Sequence, residues 1–181
     1  IDTAPTVIYT LSLHASLPIF AVQALAAIYT VSAAGGGDYT TIQACANAAQ
    51  AGDTCLVSAG TYTESRVSTV RDGTSNARIT FLANGTVTMN GFLIGHAYIT
   101  VQGFDITGHT TGQDGMVEIT GGGDYCAITS NTIRDGAASV RGIYFTQTAG
   151  VGASYCTISS NTISNLQRSE EHTSELQSPN T

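Results

Sequence analysis

The sequence predicts an all-β solenoid with a short capping helix near its N-terminus. Two observations predict it. First, three segments align without gaps: YITVQGFDI (98–106), YCAITSNTI (125–133) and YCTISSNTI (155–163). Ile99, Cys126 and Cys156 share a column; Val101, Ile128 and Ile158 share a second; Ile106, Ile133 and Ile163 share a third. These columns recur with period two on mostly β-branched side chains, which is a strand pattern and not a helical one. Second, another strand set precedes each copy: FLI (92–94), MVEIT (116–120) and IYFTQ (143–147). The loop joining the two sets lengthens through GGGD and then AGVGAS. Unequal loops at one corner of a regular coil mark a solenoid, because loop closure costs little per added residue. Composition agrees: Gly, Thr, Ser and Asn are abundant while Leu and Glu are scarce, which favours strands and turns over helix.

The overall balance excludes several classes. The chain has 181 residues, 6 cationic side chains (all arginine) against 13 acidic ones, and a net charge of −7. An acidic, lysine-free chain lacks the basic face that a nucleic-acid partner requires, so none is expected. With 42% hydrophobic and only 10% charged residues, global disorder is not expected. No apolar run approaches the roughly 20 residues of a membrane span.

In chain order, the two ends stand apart from the middle. RSEEHTSELQS (168–178) is charged and free of glycine, and it resembles the conceptual translation of a sequencing-library adapter. The opening IDTAPTVIYTLSLHASLPI resembles the opposite adapter. Segments 1–19 and 168–181 are therefore expected to be adapter-derived and are left out of the fold reading. FAVQALAA (20–27) has an apolar stub and the small-x-small form of a signal-peptidase site at Ala24-Leu25-Ala26, so it reads as a signal-peptide remnant. An exported chain starting near Ala27 or Ile28 is the expectation: secreted, periplasmic or on the cell surface, where disulfides persist.

Tyr29–Ser32 reads as a short strand and Gly35–Gly37 as a loop. Thr40, followed by Gln43, has the form of a capping box for a helix over about 40–50. Ile42, Cys45, Ala46 and Ala49 make one apolar stripe on it. Gly52 ends it by tolerating a positive φ. Cys55-Leu56-Val57 then reads as a buried strand, Gly60 as a turn into Tyr62, and RITF (78–81) as a weaker early copy of the repeat. Residues 28–167 are thus expected to form the cap followed by about four coils.

GDYTTIQACANAAQAGDTCLVSAGTYTE resembles the start of right-handed parallel β-helix proteins of the pectin lyase-like family, and the tandem SNTI segments resemble their later coils. The resemblance covers about 29–166. It implies a right-handed parallel β-helix whose open end is capped by an amphipathic helix. It leaves function broad, because the family includes polysaccharide lyases, glycosidases, epimerases and non-catalytic surface proteins.

Under this fold, Cys45 and Cys55 face the same core, where a disulfide would join cap to barrel. Cys126 and Cys156 share an inward column, near enough for a disulfide and equally able to remain two buried thiols. No Cys or His spacing suggests a zinc or other metal site. Asn131 and Asn161 share a turn column, either as an amide ladder between coils or as ordinary turn residues.

Candidate chemistry lies on outward columns. If Ile94, Ile119 and Phe145 point inward, then Leu93, Glu118 and Tyr144 form an outward column, followed by Thr120 and Thr146. A carboxylate beside an aromatic ring could hold a sugar: Tyr144 against its apolar face, Glu118 on hydroxyls or a cation. An ordinary solvated face is the competing reading. The family's lyases need a base for the C5 proton and a cation for the enolate-like intermediate, the base often being Lys or Arg and the cation sometimes calcium. With no lysine, Arg134 and Arg141, flanking a turn with Asp135, are the coil residues that could serve. Asp105, Asp114, Asp124 and Asp135 are scattered, so no cofactor is expected in this segment, and calcium is expected only in a longer protein. His96 and His109 read as bystanders in or beside loops. The functional expectation is an exported, carbohydrate-active, polysaccharide lyase-like protein whose partner is an acidic polysaccharide. The alternative is a non-catalytic surface, adhesin-like or envelope scaffold.

Overall fold

A computed structural model describes residues 25–109, 115–137 and 140–166. The adapter-like segments, most of the signal-like stub and Asp114 lie outside the described residues. The chain runs β1 (Ile28–Val31), α1 (Ile42–Ala48), β2 (Thr54–Tyr62), β3 (Val67–Ser68), β4 (Ile79–Met89) and β5 (Phe92–Ile94). It continues through β6 (Ile99–Gln102), β7 (Asp105–Ile106), β8 (Gly115–Ile119), β9 (Ala127–Thr129) and β10 (Thr132–Arg134). The last elements are β11 (Arg141–Phe145), β12 (Gln147–Thr148), β13 (Val151–Gly152), β14 (Thr157–Ser159) and β15 (Thr162–Ser164).

Apart from β12 and β13, these strands stack in parallel as a β-solenoid of about five turns, one more than the repeat count suggests. The additional turn is that of β2 and β3, where the sequence shows only the entry strand. Three faces result. Face one stacks β1, the first half of β2, the first half of β4, β6, β9 and β14. Face two stacks the second halves of β2 and β4 with β7, β10 and β15. Face three stacks β3, β5, β8 and β11. The expected columns hold: Val101 pairs Ile128, Ile128 pairs Ile158, and Ile106 pairs Ile133, which pairs Ile163. The growing corner loop ends as an antiparallel hairpin, β12–β13. It packs on Gly121 so closely that a Cβ there would collide with the Val151 carbonyl.

The interior is apolar and continuous. Phe81, Phe92 and Phe104 form a chain of tilted rings, with centroids 5.4 and 5.3 Å apart. Each such pair adds about 1 kcal/mol beyond its area burial. The cap stripe Ile42, Cys45, Ala46 and Ala49 is buried against this core. The N-cap is Thr41 and not Thr40: its hydroxyl takes the Ala44 N–H at 3.1 Å. The capping-box partner is not Gln43 either. The Glu64 carboxylate, from the end of the first turn, takes the Ile42 and Gln43 N–H groups at 2.6 and 3.1 Å. Gln43 instead straps the helix to β3 through both main-chain polar groups of Ser68. At the other end, Arg71 donates to the Asn47, Ala48 and Ala49 carbonyls, a cation where the helix leaves acceptors unsatisfied. Gly52, at φ 97°, sits in the turn beyond the helix.

Both cysteine pairs are disulfides. Cys45–Cys55 ties cap to barrel, with Cα atoms 6.1 Å apart. Cys126–Cys156 joins adjacent turns, with Cα atoms 4.6 Å apart, which resolves the two readings in favour of the bridge. Asn131 is buried and is an amide rung. It receives the Phe104 N–H and donates to the Val101 carbonyl and to Asn161 Oδ1. Asn161 in turn donates to the Ile128 carbonyl. The left-handed conformation at this corner falls on the preceding residues, Gly103, Ser130 and Ser160, so the asparagines are there for their amides.

Candidate functional site

The outward column on face three is formed, but Phe145, expected inward with Ile94 and Ile119, is 43% exposed, because among the described residues no strand stacks on β11 beyond β8. Ser68 pairs Leu93, Leu93 pairs Glu118, and Glu118 pairs Tyr144, while Ile94 and Ile119 are buried behind them. Beside this column lies a cleft of about 390 Å³, lined by Ser65, Arg66, Ser68, Asn90, Leu93 and His109, among others. Asn90 is fixed by its Nδ2, which donates to the Glu64 carbonyl at 2.7 Å. The cleft therefore rests on the same turn that holds the cap helix.

Glu118 is not a bare carboxylate. Arg66 Nη1 donates to Glu118 Oε2 at 2.6 Å and to the Gly115 carbonyl at 2.9 Å. Both side chains are largely covered, 17% and 12% exposed. Thr146 Oγ1 donates to the other oxygen, Oε1, at 3.3 Å. The cation that Glu118 was expected to take is thus supplied by its own chain. Removing either member of such a sheltered pair strands the other charge. One strand over, the Arg141 guanidinium lies 4.3 Å from the centre of the Tyr144 ring, in cation–π contact.

Glu118, Tyr144 and Arg141 therefore come together on face three. Arg134 does not join them. It stands on face two and grips Asp105 with two donors, Nε at 2.9 Å and Nη2 at 2.8 Å, and also pairs with Asp135. These hydrogen bonds, chiefly those to Asp105, hold its guanidinium even more firmly protonated than usual. That state is the opposite of what a proton-abstracting base needs. Hydrogen bonding from Asn165, then from Arg134, pushes the Asp135 carboxyl below its ordinary range. The triad Asp105–Arg134–Asp135 reads as a brace between turns.

Arg66 is the cation in the cleft wall that the sequence reading missed. It precedes every recognisable repeat, so repeat alignment passed over it. Placing Val67-Ser68 in register with Phe92-Leu93 would have put it on face three. His96 hydrogen-bonds Thr69 through Nδ1 at 3.1 Å, away from the cleft lining, whereas His109 lines the cleft. Among the described residues, no three His, Cys, Asp or Glu side chains converge into a metal site. Asp105 and Asp135 are each paired with Arg134. No described helix is long and apolar enough to cross a membrane.

No protein-family model, curated protein or solved structure matches this chain.

Proposed function

We propose that this chain belongs to an exported, carbohydrate-active protein of the pectin lyase-like kind that binds an acidic polysaccharide along face three. The observation that carries the reading is the cleft beside the Ser68–Leu93–Glu118–Tyr144 column, with Arg66 in its wall. A groove running across successive turns suits an extended polymer. Arg66 sets a guanidinium in the cleft wall, where a uronate carboxylate would compete with Glu118 for it, and Tyr144, further along the column outside the cleft lining, offers a ring to a sugar's apolar face. Glu118 orients Arg66 and keeps the local charge near neutral, so an acidic chain is not repelled. The two disulfides support export into an oxidising compartment.

Binding is better supported than catalysis. Arg134 is committed to two carboxylates, and Arg66 is committed to Glu118 and Gly115. A lyase needs a base poised at the C5 proton, and Arg134, held more firmly protonated by Asp105 and Asp135, is poorly suited to that role. This favours a scaffold that holds a glycan over an enzyme that cleaves it.

The test is affinity electrophoresis through gels containing polygalacturonate, with ultraviolet absorbance of unsaturated products read in parallel. Retarded migration is expected for the parent chain, with about tenfold weaker retention in Arg66→Gln and Tyr144→Ala. Unsaturated product would promote the lyase reading over the scaffold. Absence of both retardation and product would overturn the proposal.

A further inference from the structure

A second surface stands apart from the cleft. At the corner between faces three and one, Tyr98, Tyr125 and Tyr155 stack in successive turns. Their ring centres are 4.8 and 4.9 Å apart and the ring planes lie within 1° and 10° of parallel. We infer that this tyrosine ladder is a docking rail for a neutral, extended polysaccharide lying along the solenoid axis. The inference does not rest on the reading of the face-three cleft.

The ladder is maintained at a cost. All three tyrosines have left-handed backbone, at φ 58°, 54° and 59°. That conformation costs a bulky L-residue about 1–2 kcal/mol. At the next corner the chain meets the same demand with Gly103, Ser130 and Ser160, which suit it better. Core burial does not explain the choice of tyrosine, because Tyr125 is 40% and Tyr155 is 76% exposed. Ring stacking recovers part of the cost, yet it leaves wide aromatic rims in water at Tyr125 and Tyr155.

The surroundings select the ligand. The neighbouring outward column on face one is Thr80, Thr100, Ala127 and Thr157, small and uncharged. Asp124 stands beside the ladder and accepts the Ser154 N–H at 2.6 Å. Burial, the flanking phenols and Asp124 all push the Tyr125 phenol above its ordinary value, so it stays a neutral donor. The cation of this column is Arg78, the counterpart of Tyr98 one turn earlier. It spends its donors on Thr100 Oγ1 and on the Ile99 and Tyr125 carbonyls. A polyanion would thus meet a carboxylate with Arg78 already engaged. A neutral glycan meets one phenol hydroxyl per ladder turn, able to donate to and accept from its own hydroxyls, at a spacing comparable to the advance of one sugar, and the outer face of the 76%-exposed Tyr155 ring is open to its C–H groups.

The experiment is isothermal titration of the full chain with cellohexaose and, separately, with an oligogalacturonate. Variants are Tyr125→Ser/Tyr155→Ser, chosen because Ser130 and Ser160 hold the same backbone conformation, and Arg66→Gln. The parent should bind cellohexaose, the serine variant at least about tenfold more weakly, and Arg66→Gln with unchanged affinity. Circular dichroism checks folding, and Tyr155→Ser alone serves if the double variant unfolds. Failure of the parent to bind cellohexaose, or equal binding by a folded serine variant, overturns the inference. Loss of oligogalacturonate binding confined to Arg66→Gln would bear only on the cleft.

Discussion

In the fourth turn Ile128 and Ile133 are fully buried, whereas their register partners in the fifth, Ile158 and Ile163, are 43% and 48% exposed. The two turns carry nearly the same string, YCAITSNTI and YCTISSNTI. The motif therefore does not bring its own core with it. In a solenoid each turn is buried by its neighbours, so stability is a property of interfaces between turns. The first turn shows the complementary arrangement: α1, Glu64 and the Cys45–Cys55 bridge cover it.

The largest contrast should come from deleting the same side chain in each turn. Ile133→Ala should cost about 4 kcal/mol and Ile163→Ala about 1 kcal/mol, read as shifts in urea midpoint with the disulfides intact. Equal losses would mean that Ile163 is covered in solution. Next in size is the amide ladder. Asn131→Ala leaves the Phe104 N–H and the Val101 carbonyl without their partner and should cost about 2 kcal/mol, against about 1 kcal/mol for Asn161→Ala. A reversed order would show that the ladder is anchored from the fifth turn inward.

How much of this was legible in the sequence depended on locality. Columns such as Val101–Ile128–Ile158 were readable because strand period and burial coincide. The asparagine ladder was readable because Asn131 and Asn161 fall at one place in a gapless alignment. Glu64 was not, because it caps a helix 22 residues earlier, where no short-range pattern connects them. Thr40 and Thr41 are identical in type, so only geometry could choose between them. The tyrosine ladder was in plain view as the first letter of each aligned segment. It went unread because a tyrosine before a strand looks like an ordinary strand former, and nothing in a period of two announces left-handed backbone.

The smallest effect concerns acidity. Asp135 has its carboxyl lowered by Asn165 and Arg134, so it binds a proton less readily folded than unfolded. The stability it contributes is present above the ordinary carboxylate value and fades as pH falls through the lowered one. Asp135→Asn should therefore leave melting unchanged at low pH and lower it slightly near neutrality. A difference that grows on acidification would contradict the assignment. The effect should be confined to the fourth and fifth turns, which Asp135 and Asn165 join.

The hairpin β12–β13 grows from a corner that earlier turns close with a short loop, yet β14 still pairs β9 residue for residue. Length can thus enter the chain at that corner without disturbing the stack. For a protein engineer this is a permissive insertion port: a foreign peptide spliced between Thr148 and Val151 would be displayed outside the barrel while the solenoid keeps its register. For evolution it means that corner loops can diversify at a pace independent of the faces they connect.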